Sequence, residues 1–303
     1  MRATWKLKSL LAGSLVLGAA LNASAGDFTE RVEQAYAART ADPAVFDRLL
    51  TELERDSAQA TEREREHLRL LLDYRKVLRG HYEAALGDAV ALHDQAQDPE
   101  VRYRAALLVA NTAGVAREFL LGLRYLERAL QLREQVPESP WRHNALTVAG
   151  TLYNQYGQFA LGRQYAEQAL AEETLPPRLG CIAGQIRIEA LHGLGMALDE
   201  AGDVESAIRA CMAVGEPLVA NGIRSTLAHY WAAKGRHRQA IALLQAHLPA
   251  IEATAYPWLI GEVRSQLAAY QLEVGNDTAA EPHARAAVKL AGGSHAGSVI
   301  AAH

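Results

Sequence analysis

Residues 146–170 read LTVAGTLYNQYGQFALGRQYAEQAL, and the placing of small and large residues in this stretch decides the fold. In its first half Leu146, Ala149, Gly150 and Tyr153 recur three and four apart, the spacing that lines one face of a helix. Gly157-Gln158-Phe159 interrupts the pattern, and glycine there permits a left-handed backbone without a Cβ penalty. Gly162, Ala166, Ala169 and Leu170 then carry the inner stripe of a second helix. Antiparallel helices approach closely only where a small side chain faces the partner, which Gly150 and Gly162 supply. Tyr153 is left to fill the wedge against a neighbouring pair. A pair of this size cannot bury its apolar face alone, so it has to stack on others.

The unit recurs along the chain. Ala106, Val109, Ala110 and Ala113 lead to Phe119, Gly122, Leu126 and Ala129. Leu191, Leu194, Gly195 and Leu198 lead through a turn at Gly202-Asp203-Val204 to Ala207, Ile208 and Cys211. Leu227, Ala228 and Trp231 precede Gly235, Ala240 and Leu244, and Leu267 and Ala268 precede Gly275, Ala280, Ala284 and Ala287. A weaker early copy has Leu72, Gly80-His81-Tyr82, Ala85 and Ala89. Asp42-Pro43, Asp98-Pro99 and Ser139-Pro140 each set a capping side chain before a proline suited to the first helical position. Thr61 and Glu64 have capping-box spacing, and the run Glu62 to Glu66 reads as a solvated face of paired charges.

This pattern resembles the tetratricopeptide repeat (TPR) family over residues 66–291. Leu146 and Leu191 stand where the family has a large aromatic, and the closing proline is mostly missing. Turn spacings from Gly80 through Arg117, Gly157, Gly202, Gly235 and Gly275 are 37, 40, 45, 33 and 40 residues, against about 34 for the family. The resemblance implies an all-α fold, an α-α superhelix built as a right-handed solenoid of antiparallel helix pairs. We expect a degenerate N-terminal pair over 26–60, about six TPR-like pairs over 61–291, and the start of a truncated further repeat over 292–303. The looser spacing is similar to exported TPR sensor regions that precede a transmembrane helix and a diguanylate cyclase (GGDEF) or histidine kinase domain in bacteria. The expected parent is therefore longer, with its membrane anchor beyond His303.

Composition agrees with helices and limits the function. Half of the 303 residues are hydrophobic but only 6% are aromatic, so Ala and Leu carry the apolar load. Arg2, Lys6 and Lys8, the apolar run Leu10 to Leu21, and Ala23-Ser24-Ala25 have the order of a signal peptide, 1–25, with cleavage between Ala25 and Gly26. The expected location is the periplasm. Its removal takes away three positive charges and no acid, moving the formal net charge from −4 to −7. A mildly acidic chain without a dense basic cluster is a poor nucleic-acid binder.

Cys181 and Cys211 would then meet an oxidising compartment. If both lie on one hairpin turning near Gly202, they stand about 21 and about 9 residues from the turn, and a rise of about 1.5 Å per residue separates them by roughly 18 Å. The expectation is two unpaired cysteines with Cys211 buried, unless the helix breaks near Gly180 or Gly184.

No H-E-x-x-H, G-x-S-x-G, P-loop, C-x-x-C or GGDEF string occurs. Gly193-Leu194-Gly195 sits in a helical pattern, not after a strand, so it is no dinucleotide fingerprint. The expectation is a non-enzyme without cofactor or metal. A less favoured enzyme would use Glu189 and His192, three apart, for proton transfer. The family resemblance implies a protein or peptide ligand on the concave face, lined by first helices. That face would include Arg104, Asn111, Asn144, Thr147, Thr151, Asn154, Gln155, Glu189, His192, Met196, Asp199, Glu200, Ser225 and His229. Amides and hydroxyls between Asn144 and Gln155 suit an extended peptide backbone, and Glu189, Asp199 and Glu200 favour a ligand with a positive end. The alternative to a sensor is an envelope assembly scaffold.

Overall fold

A computed structural model describes residues 16–136 and 140–292. The chain folds as an all-α, TPR-like superhelix, with no strand among the described residues. Among the described residues the helices alternate as first and second members of seven antiparallel pairs. These are α1 (Val16–Ala38) with α2 (Pro43–Asp56), α3 (Glu62–Leu78) with α4 (Tyr82–Gln95), and α5 (Pro99–Val115) with α6 (Phe119–Leu132). The series continues with α7 (Asn144–Gln155) and α8 (Phe159–Leu170), then α9 (Pro177–Gly193) and α10 (Glu205–Ala213). It ends with α11 (Pro217–Ala233) and α12 (His237–Ala253), then α13 (Pro257–Glu273) and α14 (Asp277–Gly292). Of the segments expected as leader and truncated repeat, residues 1–15 and 293–303 lie outside those described, as does Ser139. Ala25 and Gly26 fall within α1. Among the described residues no helix is long and apolar enough to cross a membrane.

The small residues do what their spacing implies. A Cβ on Gly150 would meet Ile186 Cγ2 at 2.9 Å and the Gly162 carbonyl at 3.3 Å, so α7, α8 and α9 can close together only without one. Left-handed backbone marks the turns at Gly80, Arg117, Gly157, Gly235 and Gly275 (φ between 64° and 83°). Caps form as expected: Asp42 accepts from the backbone of Ala44 and Val45, Asp98 from Glu100 and Val101, and Thr61 and Glu64 complete a capping box. Pro140 opens a short 3₁₀ turn, Pro140–His143, and α7 begins only at Asn144.

Three expectations are corrected. The charged run is not wholly solvated, because Glu64 and Glu66 are buried. Glu66 accepts from the backbone N–H of Gln97 (2.7 Å) and Asp98 (3.2 Å), so the carboxylate serves the approach to α5. The hairpin of the fifth pair does not turn at Gly202. It turns at Gly195, whose φ is +69°. Helix α9 stops at Gly193, and residues 200–204 form a single π-type turn where Asp199 Oδ1 accepts from Gly202 N at 2.9 Å.

Moving the turn brings the cysteines together. Cys181 stands 14 residues before Gly195 and Cys211 stands 16 after it, nearly equal paths to one level. They form a disulfide with Cα atoms 4.9 Å apart, and both are buried. The expectation of unpaired cysteines fails because it placed the bend seven residues too late.

The superhelix coils back on its own beginning. Thr40, between α1 and α2, donates to Glu216 at 2.8 Å, and Arg178 of α9 donates to Thr40 Oγ1 (2.6 Å) and the Tyr36 carbonyl (3.1 Å). Arg178 also pairs with Glu216, which is 1% exposed. Arg39 lies alongside, over Tyr74 and Trp141; burial pulls its guanidinium down to about 10, and Arg178 adds to the shift. Contacts across 138 to 176 residues of sequence thus tie α9 and the start of α11 to the first pair.

Candidate functional site: a polar cavity on the concave face

Side chains four apart on a helix share one face. Five successive first helices each turn such a pair inward: Asn111 and Val115 from α5, Thr151 and Gln155 from α7, Gln185 and Glu189 from α9, Gly222 and Thr226 from α11, and Trp258 and Glu262 from α13. Together they line a cavity of about 340 Å³, completed by Asn154, Phe159, Ile186, Leu218, Val219, Tyr256 and Leu259. A more open space of about 570 Å³ shares Val115, Asn154, Gln155, Phe159 and Trp258 and leads past Arg117, Tyr156 and Gly157 at the helix turns.

The polar groups are held in place. Gln185 Nε2 donates to Glu189 Oε1 at 2.7 Å, and Asn154 Nδ2 donates to the Ile186 carbonyl at 2.9 Å. Ser225 Oγ (3.1 Å) and Gln266 Nε2 (3.2 Å) both donate to Glu262 Oε1. Both carboxyl groups open on the cavity and are half-buried. Burial pushes Glu262 up to about 7; the Ser225 hydroxyl opposes that shift and the Glu189 carboxylate adds to it. Burial also raises Glu189, against hydrogen bonds from Gln185 and Asn154. A carboxyl that titrates near neutrality can change charge when a ligand arrives.

The residues anticipated for the groove divide. Asn111, Thr151, Asn154, Gln155 and Glu189 meet in the cavity. Ser225 stands just behind it, on Glu262. Arg104 is elsewhere: its guanidinium is sandwiched between Tyr36 (3.6 Å) and Trp141 (3.8 Å) and bonds Glu100 at 3.1 Å. Thr147 is buried and donates to the Asn144 carbonyl, so both belong to the start of α7. His192 and His229 lie side by side with tilted rings, centroids 4.9 Å apart, and His192 is not among the cavity's lining residues. Glu189 and His192 are therefore split between two places. Asp199 caps the π-type turn, Glu200 pairs with Arg236, and Met196 is exposed beside Arg163.

Phe159, Gln185, Ile186, Thr226, Tyr256, Trp258 and Glu262 were not anticipated. Gln185 carried a signal, standing four before the anticipated Glu189 on one helix, whereas Trp258 and Glu262 reach the cavity only through the superhelical curvature.

No family model and no curated protein matches the chain. Solved structures do. A Rap protein complexed with Competence and Sporulation Factor superposes with a TM-score of 0.65 at 14% identity, covering 88% of this chain and 77% of that one. The apo form of the quorum sensor NprR from B. thuringiensis gives 0.50 at 12% identity, covering 88% and 76%. At such identities the likeness is one of fold.

Proposed function

We propose that this chain is the exported sensory part of a bacterial envelope signalling protein, a receptor that takes a peptide or extended protein segment into its concave cavity. One observation carries the reading: five stacked helices present their inward pairs to a single cavity of about 340 Å³. Amides and hydroxyls there suit a peptide backbone, and the aromatic walls suit its side chains. A Rap protein complexed with Competence and Sporulation Factor and the quorum sensor NprR share the superhelical fold. The Cys181–Cys211 disulfide fits an oxidising compartment such as the periplasm, as does the leader-like N-terminal sequence. In this reading a membrane anchor and an effector of the diguanylate cyclase or histidine kinase type follow His303, and the chain itself is no enzyme.

The test is affinity selection from a random heptapeptide library. Wild type should enrich a peptide family, and Thr151→Trp, which fills the cavity, should lose it while keeping the wild-type circular dichroism. Equal enrichment by both proteins would remove the cavity from the account. A stable stoichiometric complex pulled from envelope extract, with no peptide binding, would favour an assembly scaffold.

A further inference from the structure

The cavity holds two carboxyl groups and no base. Glu189 and Glu262 line it from α9 and α13, and no lining residue is Lys, Arg or His. Their hydrogen-bond donors, Gln185 and Asn154 for one and Ser225 and Gln266 for the other, are neutral. Stripping water from a carboxylate without supplying a counter-charge is costly, and folded chains seldom do it. Elsewhere several buried charges meet a counter-charge, as Glu216 meets Arg178, Asp73 meets Lys76 and Arg104 meets Glu100, while buried Glu66 is held by the backbone N–H groups of Gln97 and Asp98 and Glu64 by Thr61 and Thr29. Glu189 and Glu262 face a space on which five first helices converge. Aromatic residues Trp258, Tyr256 and Phe159 share the lining, and their ring faces attract cations.

We infer that the cavity receives a cationic group of its ligand, an ammonium or a guanidinium, between Glu189 and Glu262. The inference rests on the peptide-receptor reading and names the part of the peptide that is recognised: a Lys or Arg side chain, or a free amino terminus. The neutral donors orient the carboxylates without cancelling their charge, so the ligand completes the ion pair that the fold leaves open.

The probe is the tightest heptapeptide from the library, made in three forms: unchanged, with every Lys and Arg replaced by norleucine, and with an acetylated amino terminus. Each is titrated by calorimetry against wild type, Glu189→Gln and Glu262→Gln. Loss of the recognised cation should weaken wild-type binding tenfold or more, and which form loses affinity identifies side chain or terminus. Each Gln variant should weaken the unchanged peptide about tenfold and leave the neutralised form unaffected. If both neutralised forms bind wild type as tightly as the parent, the cation inference is wrong while the receptor reading stands. The inference also falls if the neutralised form is weakened by the Gln variants as much as the parent is. A library that yields no binding peptide overturns the receptor reading, and this inference with it.

Discussion

Replacing Cys181 and Cys211 together by alanine opens a loop closed over a sequence separation of 30. In the chain-entropy model, a loop of that length restricts the unfolded chain by about 12 cal/mol/K, or roughly 3.6 kcal/mol at 25 °C. That is a change of several hundred-fold in the local folding equilibrium. The loss should be concentrated in α9 and α10, because each pair of a solenoid touches mainly its neighbours. It should also loosen the cavity wall, since α9 carries Gln185, Ile186 and Glu189. Hydrogen exchange followed by mass spectrometry reads this directly: amides of α9 and α10 should exchange hundreds of times faster in the double variant, and α3 and α4, which Arg178 does not bond, should change little. Reduced wild type should match the variant, and the variant should ignore reductant. Two titratable thiols per chain in protein kept under air, or identical exchange with and without the cysteines, would refute the reasoning.

Other outcomes follow from single sites. Arg117 holds φ +64°, where a Cβ costs about 1 kcal/mol; Arg117→Gly should raise Tm by a few degrees, and a fall would contradict that turn. Arg178→Met leaves Glu216 buried without its cation, a loss of about 3 kcal/mol; small-angle scattering should show a larger radius of gyration as the superhelix opens, and an unchanged radius would deny the closure. Glu262, held up at about 7, contributes stability that is complete below the ordinary carboxyl pKa of about 4.5 and is lost as pH rises through 7. Glu262→Gln should therefore match wild type in Tm at pH 5 and exceed it at pH 8, and parallel pH profiles would count against the shift. His67 acts in the opposite sense. Burial lowers it to about 4, with Arg104 adding, so its contribution is present above about 6.5 and lost as pH falls through 4.

Much of the architecture was written in local chemistry. Glycine at 157, 235 and 275, small residues at 150 and 162, and Asp-Pro caps at 42 and 98 each act over a few residues, so sequence alone could place them. The fifth pair was harder to read. Gly195 and Gly202 both fit a turn, and two features separate them: the disulfide between the paired helices, and the local cap by which Asp199 draws Gly202 into its own π-type turn. Glu66 looked like one more exposed charge until the following pair set the Gln97 and Asp98 amides against it. At the cavity, Thr151, Asn154 and Gln155 were visible as a polar face on one helix. Trp258 and Glu262 were not, because their meaning depends on superhelical curvature that brings α13 opposite α5.

The central claim is that the inward pairs of α5, α7, α9, α11 and α13 make one ligand site. A crystal structure with the tightest selected heptapeptide tests it most directly. The account predicts peptide density within hydrogen-bond distance of Gln155 and Glu189, beside Trp258. Peptide bound on the convex second helices, with the cavity unchanged, would contradict it.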